Sequence, residues 1–209
     1  MTRRTVVFDV GGVLVQWHPL ELMRTHFPAR AADEAAARAL MVQVFQTFTP
    51  EADWGAFDRG EVEPAALAER IAARTGLPQA GVAALIAAIP EHLQPMPESV
   101  ALLERVRVAG HRLALLSNMP RPYALHLERA HACFGWFAHR TWSGFLGVMK
   151  PQRAIFDHVR TALDLDLAHA VFIDDHHGNI AAAHRYGWQA LQFTSAAQCG
   201  ADLAAGGWL

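Results

Sequence analysis

Thr5-Val6-Val7-Phe8 is a short apolar block cut off by Asp9 and the Gly11-Gly12 pair. A β-branched and aromatic run ended by turn residues predicts a buried strand feeding a tight turn. Two more blocks share that form: LALL at 113–116, ending at Ser117-Asn118, and AVFI at 170–173, ending at Asp174-Asp175. Elsewhere the apolar spacing changes to threes and fours, the period of a helix with one buried face. Val100, Leu103 and Val106 predict a helix stopped at Gly110. Ile155, Phe156, Val159 and Leu163 predict another, with Pro151 in its first turn. A third covers 180–186, closed by Gly187 and followed by a strand-like stretch at 189–193. Alternating strands and helices predict an α/β fold: a Rossmann-like parallel sheet covered by helices on both faces.

Open sheets of this kind bind ligands outside the carboxyl ends of their strands. Asp9, Ser117 and Asp174-Asp175 all fall there, so three distant segments are expected on one rim. One connection is anomalous, because about 85 residues separate the first strand from the helix at Val100, against two to six in an ordinary loop. Its pattern is helical: Leu20 to His26, then Leu40, Met41, Val44, Phe45 and Phe48, then Leu67 and Ile71, then Val82, Leu85, Ile86 and Ile89. Prolines at 28, 50, 64, 78 and 90 punctuate these segments as they do short bundle helices. The expected organisation is an α/β core of residues 1–15 and 95–209 with an inserted α-helical bundle cap at 16–94.

Composition narrows the function classes. The 209 residues are 52% hydrophobic and 18% charged, enough for a sizeable core and against disorder. A net charge of -2 leaves no basic field for nucleic acid or acidic lipid, although 12 His would turn it positive below pH 6.5 or so. No stretch approaches the roughly 20 apolar residues of a membrane span. The basic start, Met-Thr-Arg-Arg, precedes an apolar run that Asp9 interrupts too soon for a signal segment. Cys133 and Cys199 lack any framework spacing, which suits reduced thiols, so the expected location is cytoplasmic.

Several residues at the rim carry candidate chemistry. Asp9, at a strand end beside open glycine backbone, is a nucleophile or a metal ligand, or else a turn-capping Asp. Adjacent carboxylates at Asp174 and Asp175 repel unless a cation lies between them, and oxygen-rich sites of this kind suit Mg²⁺; the plainer reading is local hydrogen bonding and a helix cap near Asn179. Lys150, before Pro151 at a helix start, suits an anion or is solvated surface. Ser117-Asn118 offers donors for phosphate oxygens or forms an ordinary turn. P-loop, dinucleotide, nucleophile-elbow and zinc spacings are not present.

As an ordered set, Asp9 in FDVGGVL, Ser117 in LLSN, Lys150 in GVMKP and Asp174-Asp175 in FIDDHHGNI resemble the four motifs of the haloacid dehalogenase-like superfamily over nearly the whole chain. The helical insert resembles that of members with a type 1 cap. FDVGGVL, SN, MKP and FIDD with its later Asn are similar to the small-molecule phosphatases that include α-D-glucose-1-phosphate phosphatases. The resemblance implies attack by Asp9 on phosphorus, then hydrolysis of the aspartyl-phosphate by water. It implies Mg²⁺ held by Asp9, the Gly11 carbonyl and Asp175, with Asp174 in an outer position. Lys150, Ser117 and Asn118 would bind the phosphoryl group.

Most phosphatases of that superfamily carry a second Asp two residues after the nucleophile, as general acid and base, where this chain has Gly11. General acid–base help is worth about 10² to 10⁴ in rate, so a good leaving group, as in a sugar 1-phosphate, is the expected substrate. His18, His176 and His177 are candidate replacements for the acid, and Trp17, Trp54, Phe57 and Arg59-Gly60-Glu61 candidate entrance residues, unless those aromatics are simply core. The main expectation is a Mg²⁺-dependent phosphatase of small phosphorylated metabolites. Against it stand a metal-independent 2-haloacid dehalogenase, from which the acidic pair separates it, and a non-catalytic binding protein.

Overall fold

A computed structural model describes residues 4–209, and the basic start read at residues 1–3 lies outside them. Five parallel strands form one sheet in the order β3-β2-β1-β4-β5: β1 (Thr5–Phe8), β2 (Arg112–Ser117), β3 (His139–Trp142), β4 (Ala170–Asp174) and β5 (Gln189–Gln192). Alternate strand residues enter two cores, since both faces of a parallel sheet are covered. Val6, Phe8, Leu113, Leu115, Val171 and Ile173 face one side, where α6 (Pro97–Val108), α7 (Arg121–Ala130) and α11 (Ala196–Ala205) contribute apolar residues. Val7, Ala114, Leu116 and Phe172 face the other, with α9 (Arg153–Ala162) and α10 (His177–Arg185). The α/β fold expected from the alternation of periods is the one observed.

Between β1 and α6 the chain forms helices α1 (Pro19–His26), α2 (Glu34–Phe45), α3 (Asp53–Asp58), α4 (Pro64–Thr75) and α5 (Gln79–His92). Prolines begin α1 and α4, where the missing N–H loses no intrahelical bond. Their apolar faces continue into the same buried cluster as the first sheet face. The sequence pattern did not reveal β3, α7 or α11. β3, with sequence HRTW, is an edge strand whose first residues are partly exposed, so no apolar run marks it.

The order of strands reverses between β1 and β4, the neighbours that continue toward opposite edges. That crevice is where ligands of open parallel sheets sit. Asp9 follows β1 and donates its N–H to Ile173 O at 2.8 Å, while Asp174 ends β4 and Ser117 ends β2. No helix among the described residues is long and apolar enough to cross a membrane. Both cysteines are free thiols.

Candidate active site

Register places the functional side chains. β1 pairs with β2 on one side and β4 on the other through residue-by-residue partners, so the three strand ends finish level. Asp9, Ser117 and Asp174-Asp175 then meet at one end of the sheet. Lys150, from the loop after α8 (Ser143–Leu146), crosses beneath them and is almost wholly buried. Its Nζ lies 2.8 Å from Asp9 Oδ1 and 2.6 Å from Asp174 Oδ2.

The two carboxylates differ in their other partners. Lys150 Nζ donates a directed hydrogen bond to Asp174, whose two oxygens also accept from Asn179 Nδ2 and the His176 N–H. Asp174 is therefore saturated and completely buried, a fixed counter-charge that holds the ammonium. Asp9 Oδ1 faces the Lys150 ammonium at 2.8 Å and, though buried, has no other partner among the described residues. It is the available oxygen of the cluster.

Electrostatics follow from that arrangement. Burial pushes the Asp9 carboxyl up to about 7, Lys150 pulls it down, and Asp174 and Asp175 add repulsion. Burial and Asp174 raise Asp175 as well. Burial also works against the Lys150 charge, but Asp174 and Asp9 outweigh it and hold the ammonium above its ordinary range. One cation among three carboxylates leaves a negative excess. Oxygens of Asp9, Asp174 and Asp175 approach within 4.8 Å of one another, a spacing that a divalent cation fits. Gly12, at φ +74, lets this group close up, since a Cβ there would sit 2.5 Å from Asp175 Oδ2.

A cavity of about 240 Å³ opens above these groups. Asp9, Gly11, Ser117, Asn118, Lys150 and Asp175 line its floor. Asn118 also fixes the lysine loop, because its Oδ1 accepts from Lys150 N at 2.7 Å and its Nδ2 donates to Lys150 O at 2.9 Å. Trp17, Phe48, Trp54, Ile89, Leu93 and Tyr123 make the wall and roof. Thr47 and Phe48 reach it from a left-handed stretch of backbone, φ 55 and 57, the kind of local cost that sites retain.

The structure sorts the remaining candidates. Trp17, Trp54 and His176 border the cavity. Phe57 is core, Arg59 and Glu61 pair with each other at 2.6 Å, and His18 is exposed beside His92, while His177 is exposed outside the lining. Sequence reasoning missed Asp58, a buried carboxyl at the end of α3 that borders the cavity. Its signal was its spacing, four residues after Trp54 and hence on the same helical face. It also missed Met119 and Tyr123, from the loop after β2 and from α7.

Residues 3–187 match a family described as haloacid dehalogenase-like hydrolase. The sequence is 26% identical over 199 residues to the sesquiterpene phosphatase astK of Aspergillus oryzae, covering 95% of this chain and 94% of that protein. Among solved structures, the HAD family enzyme bt-2542 of Bacteroides thetaiotaomicron, complexed with magnesium and inorganic phosphate, superposes with a TM-score of 0.68 at 18% identity, covering 91% of this chain and 93% of that one. L-2-haloacid dehalogenase of Xanthobacter autotrophicus gives 0.68 at 19% identity, covering 98% and 84%. At these identities the structures show a shared fold.

Proposed function

Since the chain belongs to the haloacid dehalogenase-like hydrolase family, we propose that it is a Mg²⁺-dependent phosphomonoesterase acting through an aspartyl-phosphate on Asp9. The observation that carries this reading is the buried Asp9 Oδ1, whose one partner is the Lys150 ammonium, within a cluster whose carboxylates outnumber that ammonium. A carboxylate oxygen with one partner keeps a lone pair for attack. Without a cation the same cluster would repel a phosphate dianion. Asp9, Asp175 and the Gly11 carbonyl would hold the ion, with Asp174 behind them, and when bound it would neutralise the carboxylates and the phosphate oxygens. Lys150 would balance Asp9 and the transferring group, and Ser117 and Asn118 would border its oxygens. Asp9 would form the new bond to phosphorus as the ester oxygen leaves, and water would then cleave the acyl phosphate.

Residues 16–94 would act as a helical cap on a core of residues 1–15 and 95–209, excluding water from the floor. The substrate's organic group would be apolar. Trp17, Phe48, Trp54, Ile89 and Leu93 offer it contact area but few partners for sugar hydroxyls. The name of the Aspergillus oryzae relative points the same way. A sugar 1-phosphate, expected from the argument about leaving groups, is the competing substrate.

The test is a panel of alkyl, isoprenyl and sugar phosphates assayed for released phosphate with Mg²⁺, with EDTA, and with Asp9→Asn. Turnover of apolar esters that EDTA suppresses and that falls by at least about 10³-fold in Asp9→Asn is expected. Preference for glucose 1-phosphate would remove the apolar assignment. Halide release from 2-chloropropionate in EDTA would replace the phosphatase by a dehalogenase.

A further inference from the structure

An apolar alcohol is a poor leaving group, and position 11 supplies no acid to help it depart. Gly11 borders the cavity, and a Cβ built there meets nothing within 4 Å, so the floor has no group in that space. Across the cavity, the end of α3 brings Asp58. This carboxyl is 5% exposed, borders the cavity, and makes no side-chain hydrogen bond or ion pair among the described residues. Buried carboxyl groups normally have partners. Its neighbours are also docked firmly: Ser143 Oγ donates to Asp58 O at 2.6 Å and accepts from the Met119 N–H at 2.9 Å. Asp58 is thereby hydrogen-bonded through one serine to the loop that follows Ser117. Gly60, at φ +72, allows the next turn to press against Gly144 backbone, where a Cβ would collide.

Resting on the phosphatase reading above, we propose that Asp58 is the general acid and base of this enzyme, a catalytic carboxyl supplied by the helical insert. As Asp9 forms its bond to phosphorus, the phosphorus–ester oxygen bond breaks, its electron pair stays on that oxygen, and Asp58 hands over its proton to release the alcohol. Asp58, now a carboxylate, then takes a proton from water as the water oxygen attacks phosphorus. The bond to Asp9 breaks, its electron pair returns to Asp9, and inorganic phosphate departs. Both groups end as they began. Burial supports the starting state by pushing the Asp58 carboxyl up to about 8, with Arg59 and Lys150 pulling down and Asp9 repelling. The acid is therefore protonated before the reaction, as a donor must be.

The experiment compares wild type with Asp58→Asn on two esters, decyl phosphate and 2,4-dinitrophenyl phosphate, with Mg²⁺. A dinitrophenolate leaves without a proton, whereas a decyl alkoxide does not. The variant is expected to lose about 10² to 10⁴-fold in kcat/KM on decyl phosphate. On the activated ester it is expected to keep a rapid burst of one equivalent, followed by slow turnover, because formation of the aspartyl-phosphate survives and its hydrolysis lacks a base. Equal losses on both esters, or an unchanged rate on decyl phosphate, would overturn the role of Asp58 while leaving the phosphatase intact. A wild-type protein inert to both esters would take down both readings. A melting temperature of the variant no lower than wild type shows that folding is not the cause of a loss.

Discussion

Three carboxyl groups in and beneath the cavity, Asp9, Asp58 and Asp174, differ in their partners. Asp174 has both oxygens hydrogen-bonded; Asp9 Oδ1 has the Lys150 ammonium alone; Asp58 has neither a side-chain hydrogen bond nor an ion pair among the described residues. The last condition has a consequence for stability. Asp58 ordinarily titrates near 3.8 but is raised to about 8 in the fold. A raised acid pKa means that the folded state holds a proton which the unfolded chain has released. Its contribution is thus fully present below the ordinary pKa and is lost as pH rises through the folded one. Arg59 and Lys150 pull the group down and Asp9 pushes it up, while burial and Asp58 raise the Tyr123 hydroxyl. Relative to wild type, Asp58→Asn should gain stability between about pH 4 and 8, by up to ~1.4 kcal/mol per pH unit. Urea unfolding at pH 5 and pH 8 measures this, and a constant difference between the two proteins would show that Asp58 is ionised in the fold.

The elements that position these groups are held by apolar contacts on both sides of a narrow sheet. Phe156 of α9 is completely buried and meets Phe172 of β4 edge to face at 5.6 Å, with Tyr186 and Trp188 around it. Phe172 in turn carries the Lys150 ammonium 5.5 Å from its ring. Phe156→Ala should cost about 3–5 kcal/mol, because it opens a cavity in the smaller of the two cores. Denaturant unfolding at fixed pH checks this, and a loss below ~1 kcal/mol would mean that the helix repacks freely. Length explains why some elements escaped the sequence pattern. Four residues of β3 and the Ala-rich turns of α11 give too few apolar positions to set a period, although Cys199 and Leu203 are completely buried.

In the whole molecule the helical insert and the sheet share one buried cluster and also several polar ties. Ser143 links the Met119 N–H to the Asp58 carbonyl, and the Tyr123 hydroxyl donates to Ile86 O at 2.8 Å. Ser143→Ala would strand a buried donor and a buried acceptor, costing roughly 1–3 kcal/mol each where water cannot replace the lost bond. The expected result is lower stability together with slower turnover of alkyl phosphates, since Asp58 would lose its fixed place. Full activity with lowered stability would mean that the tie serves folding alone.

The period of the apolar residues, the turn chemistry after each strand and the proline-punctuated helical insert made the α/β fold legible, because strand and helix geometry are local properties of the chain. The acidic and basic rim residues were legible for the same reason: each ends a recognisable strand or begins a helix. Asp58 was not. On its own helix it is a polar residue beside Trp54 and Phe57, and only long-range packing, through Ser143 and Gly60, brings it to the cavity that Asp9 also lines. The expectation of a substrate with a good leaving group arose from Gly11 alone. The tertiary structure brings Asp58, 47 positions beyond Gly11, to the same cavity, because burial and proximity depend on how the insert docks and not on neighbours in sequence.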